Sequence, residues 1–214
     1  MPEFAVVRHG RPLTERLESG IADPSLDEYG VWQAGRVCAW LAHEPIDAVV
    51  ASPKARAIET IRPLADALGL PVEIVEDLDE IDRHSSVYVP TDRWATEGLD
   101  ILEALGEKRY ADIGYDPPEV FRARIEAVWR TLVEEPPGER VVIACHGGTI
   151  REIIRATLGE MPRSFHAQLE YASICRFRVD DGRASLVTLN ETAHFDASRE
   201  AIRGAMNTAP SIEP

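Results

Sequence analysis

The sequence predicts an α/β fold built on a mostly parallel sheet, with a hairpin at one edge. Three observations predict it. Short apolar runs, Phe4-Ala5-Val6-Val7 and Val141-Val142-Ile143-Ala144-Cys145 foremost, stand between turn residues and read as buried strands. Amphipathic helical stretches alternate with them, the order that builds parallel sheets through helical crossovers. Ser173 to Val179 and Ala184 to Leu189, joined by Asp180-Asp181-Gly182, have instead the form of a hairpin.

The elements follow in order. Phe4 to Val7 is the first strand, and a loop rich in Gly, Pro, Asp and Ser runs on through Ser19-Gly20 and Asp23-Pro24-Ser25. A helix over about Leu26 to Ala42 is carried by Val31, Ala34, Val37, Cys38 and Leu41, and Pro45 stops it. Ile46 to Ala51 is the second strand. Ala55 to Leu68 is the next helix, closed by Gly69, with a kink or local break expected at Pro63. Pro71 to Val75 is a third short strand. From Ile81 to about Pro118 clean periodicity gives way to prolines, glycines, aromatics and scattered charges. Residues 81–118 therefore read as a lid-like insertion within one domain spanning residues 1–214. Glu119 to Glu135 is a helix on the stripe Val120, Ile125, Val128 and Leu132, and Pro136-Pro137-Gly138 turns the chain into the strand ending at Cys145. Thr149 to Leu158 is helical. The tail from about Phe195 is polar, contains Pro210 and Pro214, and is expected to be mobile at its end.

Composition bounds the class. With 214 residues, 44% hydrophobic and 28% charged, the chain is long enough to bury one large core. The net charge of −14 argues against a nucleic-acid or anionic-membrane surface, so an anionic substrate must be held by local charges. No apolar run approaches the ~20 residues that span a bilayer, and no secretory pattern opens the chain. Cys38, Cys145 and Cys175 are widely spaced among apolar neighbours and read as reduced core residues of a cytoplasmic protein. No close cysteine pair exists to ligate a metal.

The chemistry-bearing residues collect at strand ends, where open α/β sheets bind ligands. Arg8-His9-Gly10 follows the first strand, and His146-Gly147-Gly148 follows the Val141 strand. Arg56 lies in the first turns of the helix after Val49-Val50-Ala51, and Glu80 lies just beyond the third strand. Arg8 and Arg56 offer planar, permanently charged forks that match phosphate oxygens in pairs. The helix start near Ser52 and the glycines at 147 and 148 offer backbone N–H donors for an anion.

Four of these blocks, in this order, resemble the histidine phosphatase superfamily, in the branch of cofactor-dependent phosphoglycerate mutases and related phosphatases. They are Arg8-His9-Gly10, the segment Ser52-Pro53-Lys54-Ala55-Arg56-Ala57-Ile58-Glu59-Thr60, Leu78-Asp79-Glu80-Ile81 and His146-Gly147-Gly148, with Asn190 and His194 similar to a short C-terminal pattern. The resemblance covers roughly residues 4 to 195. It implies a three-layer αβα sandwich of phosphoglycerate mutase-like form. It also implies phosphomonoester hydrolysis through a covalent phosphohistidine on His9, without a metal or other cofactor, on a small phosphorylated molecule. Arg8, Arg56, Gly147 and His146 would hold the phosphoryl group, and Glu80 would protonate the leaving group. Asp79 and Asp82 remain alternatives for that acid, and as neighbours they would raise the pKa of Glu80. The alternatives to hydrolysis are a phosphoglycerate-type mutase and a non-catalytic phosphate-binding module.

The family pattern breaks at Arg11, which stands where an acidic residue is frequent, and at Glu15, near the place of the mutases' phosphate-binding Asn. Arg11 is expected to compensate or to select an anionic substrate, and His84 in the lid to reach the substrate. The hairpin leaves an open edge that a second copy could pair with as a homodimer.

Overall fold

The computed structural model describes residues 1–159 and 167–196. Its strands are β1 (Glu3–Arg8), β2 (Glu15–Arg16), β3 (Ala48–Ala51), β4 (Val72–Ile74), β5 (Val87–Tyr88), β6 (Arg140–Cys145), β7 (Ile174–Asp180) and β8 (Arg183–Glu191). Its helices are α1 (Glu28–Leu41), α2 (Ala55–Leu68), α3 (Trp94–Glu97), α4 (Leu99–Gly106), α5 (Pro118–Glu134) and α6 (Gly147–Leu158). Six strands form the main sheet in the order β4-β3-β6-β1-β7-β8. The pairs β4/β3, β3/β6 and β6/β1 are parallel, while β1/β7 and β7/β8 are antiparallel.

Strand alternation explains the three layers. In β1 and β6, Phe4, Val6, Val141, Ile143 and Cys145 face α5 and α6, packing on Ile125, Trp129, Ile150 and Ile153. Their neighbours Ala5, Val7, Val142 and Ala144 face the other way, onto Val37 and Leu41 of α1 and Ile61 and Leu64 of α2. Both faces of these strands are buried, so they read as continuous apolar runs. The β7–β8 turn is made by Asp181 and Gly182, both at positive φ (46° and 70°), as a two-residue hairpin of matching twist requires.

Two expectations need revision. α2 runs unbroken through Pro63, without the local break. A proline removes one intrahelical hydrogen bond, but Ile61, Leu64 and Ala65 are fully buried on either side and hold the helix in place. The stretch 81–118 is also more regular than its sequence suggests. β5 pairs with β2, and α3 and α4 gather around Val89, Ile101 and Tyr115. Its pieces are only two to eight residues long, too short to show a period. The tail expected from about Phe195 to be mobile at its end falls, from residue 197 to 214, outside the described residues. Among the described residues, no helix is long and apolar enough to cross a membrane.

Candidate active site

Parallel pairing in register brings the two histidines together. Arg8 of β1 is level with Cys145 of β6, so His9 and His146 leave adjacent strands side by side. The His9 N–H donates to Cys145 O at 2.8 Å, and the two ring centroids are 5.2 Å apart. His9 Nδ1 lies 2.8 Å from Gly10 O. A carbonyl only accepts, so Nδ1 carries the proton and Nε2 keeps its lone pair. Burial first, then Arg56 and Arg8, hold the His9 pKa well below 6.5, and the ring is neutral.

His146 stands at the start of α6 and is fully buried. Its Nε2 lies 2.6 Å from Ser52 Oγ, at the end of β3, and 3.9 Å from Asp79 Oδ1. Its Nδ1 is buried with no hydrogen-bond partner in the protein. Burial, followed by Arg56 and His9, keeps this ring's pKa well below 6.5 too.

Arg56, the second residue of α2, is wholly buried over the ring of Tyr88, 4.4 Å from its centroid. Its Nη2 is 3.4 Å from Asp82 Oδ1 and its Nη1 is 3.8 Å from Asp23 Oδ1. Asp23 also caps α2, both carboxylate oxygens accepting from the Ala55 N–H. Arg8 donates to Leu169 O (2.6 Å) and Thr91 Oγ1 (3.3 Å) and lies over Tyr171 at 3.8 Å. Arg8 Nε, Arg56 Nε and Arg56 Nη1 are buried without hydrogen-bond partners in the protein. Buried donors of this kind call for an acceptor, and an oxyanion supplies one.

Three candidate acids, Asp79, Glu80 and Asp82, follow β4, and the fold separates them. Glu80 Oε2 accepts the Gly148 N–H at 2.7 Å and Oε1 accepts the Ile81 N–H at 2.9 Å. Burial chiefly, then Asp82, raises the Glu80 pKa. Asp79 accepts the Glu80 N–H at 2.8 Å and lies 3.7 Å from Lys54 Nζ. Asp82 is taken up by Arg56. A cavity of about 100 Å³ is lined by Arg8, His9, Arg56, Glu80, Asp82 and Gly147, and by Tyr88, Thr91 and Arg151. Asp79 and His146 are not among its lining residues, and the His146 ring stands beside His9, which is.

The structure leaves two other sequence candidates outside this cavity. Arg11 donates to Asp27 Oδ2 at 2.6 Å and lies over Tyr29, which turn it into a neighbouring open cleft of about 740 Å³. His84 is 62% exposed with Nε2 4.0 Å from Asp116 Oδ1, and it does not line the cavity. The sequence reading used Ser52 only to mark a helix start, and it passed over the Asp23 and Asp82 flanks of Arg56 and over Arg151. Arg151 lies one helical turn beyond Gly147 on α6, and that spacing could have found it. Among the described residues, no group of three or more His, Cys, Asp and Glu side chains could hold a metal ion.

The overall fold is that of the phosphoglycerate mutase-like phosphatases. The chain belongs to the histidine phosphatase superfamily (branch 1), whose sequence profile matches residues 4–192. A bifunctional protein of Mycobacterium tuberculosis is 32% identical over 208 residues, covering 89% of this chain and 54% of that protein. The chain thus spans about half the length of this relative. The adenosylcobalamin/alpha-ribazole phosphatase of Salmonella typhimurium is 28% identical over 203 residues, covering 88% and 96% of the two chains. The crystal structure of the alpha-ribazole phosphatase from Shigella flexneri matches with a TM-score of 0.68 at 24% identity, over 88% of this chain and 96% of that one.

Proposed function

We propose that this chain hydrolyses phosphomonoesters of small molecules through a covalent phosphohistidine on His9. The observation that carries the reading is the Nδ1–Gly10 O hydrogen bond, which leaves a neutral Nε2 lone pair beside buried guanidinium donors without partners. His9 Nε2 attacks phosphorus while Arg8, Arg56 and His146 stabilise charge on the equatorial oxygens. The P–O bond breaks, and Glu80 gives its proton to the departing alkoxide. Water then attacks the phosphohistidine and returns a proton to Glu80. The N–P bond breaks, the imidazole recovers its lone pair, and inorganic phosphate leaves.

The test is turnover of an aryl phosphate in the presence of a chelator, with acid-labile labelled phosphoenzyme trapped during turnover. Both signals are expected in the wild type and neither in His9→Ala. Phosphate binding without turnover of any phosphomonoester would make the chain a binding module. Interconversion of 3- and 2-phosphoglycerate dependent on a bisphosphate primer would make it a mutase. The relatives named as phosphatases make alpha-ribazole phosphate an early member of the substrate screen.

A further inference from the structure

Ser52 and His146 share a contact whose direction can be worked out. Both side chains are fully buried and their polar atoms are 2.6 Å apart. Two arrangements satisfy that distance. Either the Ser52 hydroxyl donates to His146 Nε2, or Nε2–H donates to the hydroxyl oxygen. The other group near Ser52 Oγ is the backbone N–H of Lys54 at 3.4 Å, which can only donate. If Nε2 carried the proton, the serine hydrogen would have no acceptor among the described residues, and the side chain is fully buried. Buried hydroxyls avoid that arrangement. With Ser52 as the donor, both polar ends of the hydroxyl are satisfied: the oxygen accepts from Lys54 and the hydrogen goes to Nε2. The imidazole proton of neutral His146 must then sit on Nδ1, the atom that is buried and has no partner in the protein.

We propose that Ser52 is a positioning residue that fixes His146 in its Nδ1–H tautomer, so that this ring donates a hydrogen bond to the transferring phosphoryl group. The proposal rests on the phosphoryl-transfer reading above. It makes the two neighbouring rings complementary. His9 spends its Nδ1 proton on Gly10 O and presents a lone pair. His146 spends its lone pair on Ser52 and presents a proton. A phosphoryl oxygen can only accept, so the opposite tautomer of His146 would set a lone pair against developing negative charge. Asp79 does not settle the matter, because its nearer oxygen is 3.9 Å from Nε2 and already accepts the Glu80 N–H.

Long-range proton–nitrogen correlation spectra of histidine-labelled protein, saturated with inorganic phosphate, read the tautomer directly. The His146 signals are assigned by their loss in His146→Gln. The expected spectrum has a protonated Nδ1 and a bare Nε2 on His146, and the same protonated Nδ1 on His9. A protonated Nε2 on His146, alone or in an imidazolium, overturns the proposal. In Ser52→Ala the defined tautomer is lost, and kcat falls roughly 10²-fold with KM changed little, the scale of one preorganised donor removed. Ser52→Thr, which keeps the hydroxyl, retains most of kcat. An undiminished kcat in Ser52→Ala also overturns the proposal, and if that variant does not fold, the wild-type spectrum decides alone. The two readings fail separately: a chain that turns over no phosphomonoester yet shows the expected tautomer with phosphate bound refutes the hydrolase reading and keeps the assignment of the His146 proton by Ser52.

Discussion

Glu80 Oε2 accepts the backbone N–H of Gly148 at 2.7 Å, fastening the loop after β4 to the first turn of α6. The contact exists because residue 148 has no side chain. A Cβ there would overlap both oxygens of the Glu80 carboxylate. Gly148→Ala therefore displaces the proposed acid while leaving His9 and the arginines in place. Alkyl phosphates, whose leaving groups need a proton, are expected to lose about 10²-fold in kcat. An activated aryl phosphate, which leaves without help, should lose much less. Equal losses on the two substrate types would show that Glu80 is not the acid.

The pH profile follows from two opposed shifts. Burial, Arg56 and Arg8 lower the His9 pKa, so the nucleophile stays neutral until the pH is well under 6.5. The acid limb of kcat/KM therefore lies below that value. Burial and Asp82 raise the Glu80 pKa above the ordinary 4.5, and activity falls as rising pH removes its proton. Asp82→Asn takes away one cause of the upward shift and should move the alkaline limb to lower pH. Glu80→Gln should abolish that limb along with most of the rate. The check is kcat/KM against pH for the three proteins, and an alkaline limb unmoved by either substitution contradicts the assignment.

Arg56→Lys is not a conservative change here. The guanidinium plane lies over Tyr88 with Asp82 and Asp23 at its two ends, and it still keeps Nε and Nη1 unspent. An ammonium group on a flexible stem cannot reach both acids and also offer two fixed donors. We expect kcat/KM to fall by roughly 10²- to 10³-fold and inhibition by inorganic phosphate to weaken in parallel. A variant within a few-fold of wild type on both measures would remove Arg56 from the phosphate site.

What could be read from the chain, and what could not, divides by distance in sequence. β1 and β6 were legible because both their faces are buried, so every residue from 4 to 7 and from 141 to 145 is apolar. The close of α2 was legible because Gly69 takes a left-handed conformation at φ 67° that other residues avoid. His9 and His146 could be paired because parallel strands in register bring their ends together. Pro63 misled as to a break because the packing that keeps α2 continuous comes from buried side chains the local pattern does not reveal. The separation of Asp79, Glu80 and Asp82 was closed to sequence reading, because it depends on Lys54, Gly148 and Arg56 reaching them after folding. The side-chain contact of Ser52 was closed for the same reason: its partner is 94 residues away. Arg11 stood just past the motif, and Asp27 and Tyr29 set it at the neighbouring cleft.

His194 offers a test of the fold that is separate from the chemistry. It is buried, with Nε2 3.0 Å from Ala172 O, and burial chiefly lowers its pKa to about 4. The unfolded chain takes up this proton near pH 6.5 and the folded one only near 4. Its contribution to stability is thus fully present above 6.5 and is lost as pH falls between those values. His9 and His146 act in the same direction, whereas Glu80, with its raised pKa, contributes stability at low pH that fades as pH rises. His194→Gln keeps a donor for Ala172 O but removes the titration. Urea unfolding at about pH 5 and about pH 7 should show a smaller loss of stability on acidification in the variant, by up to one proton's worth of slope. An equal loss in both proteins would mean that His194 is already charged in the folded state, with a counter-ion replacing the desolvation that burial imposes.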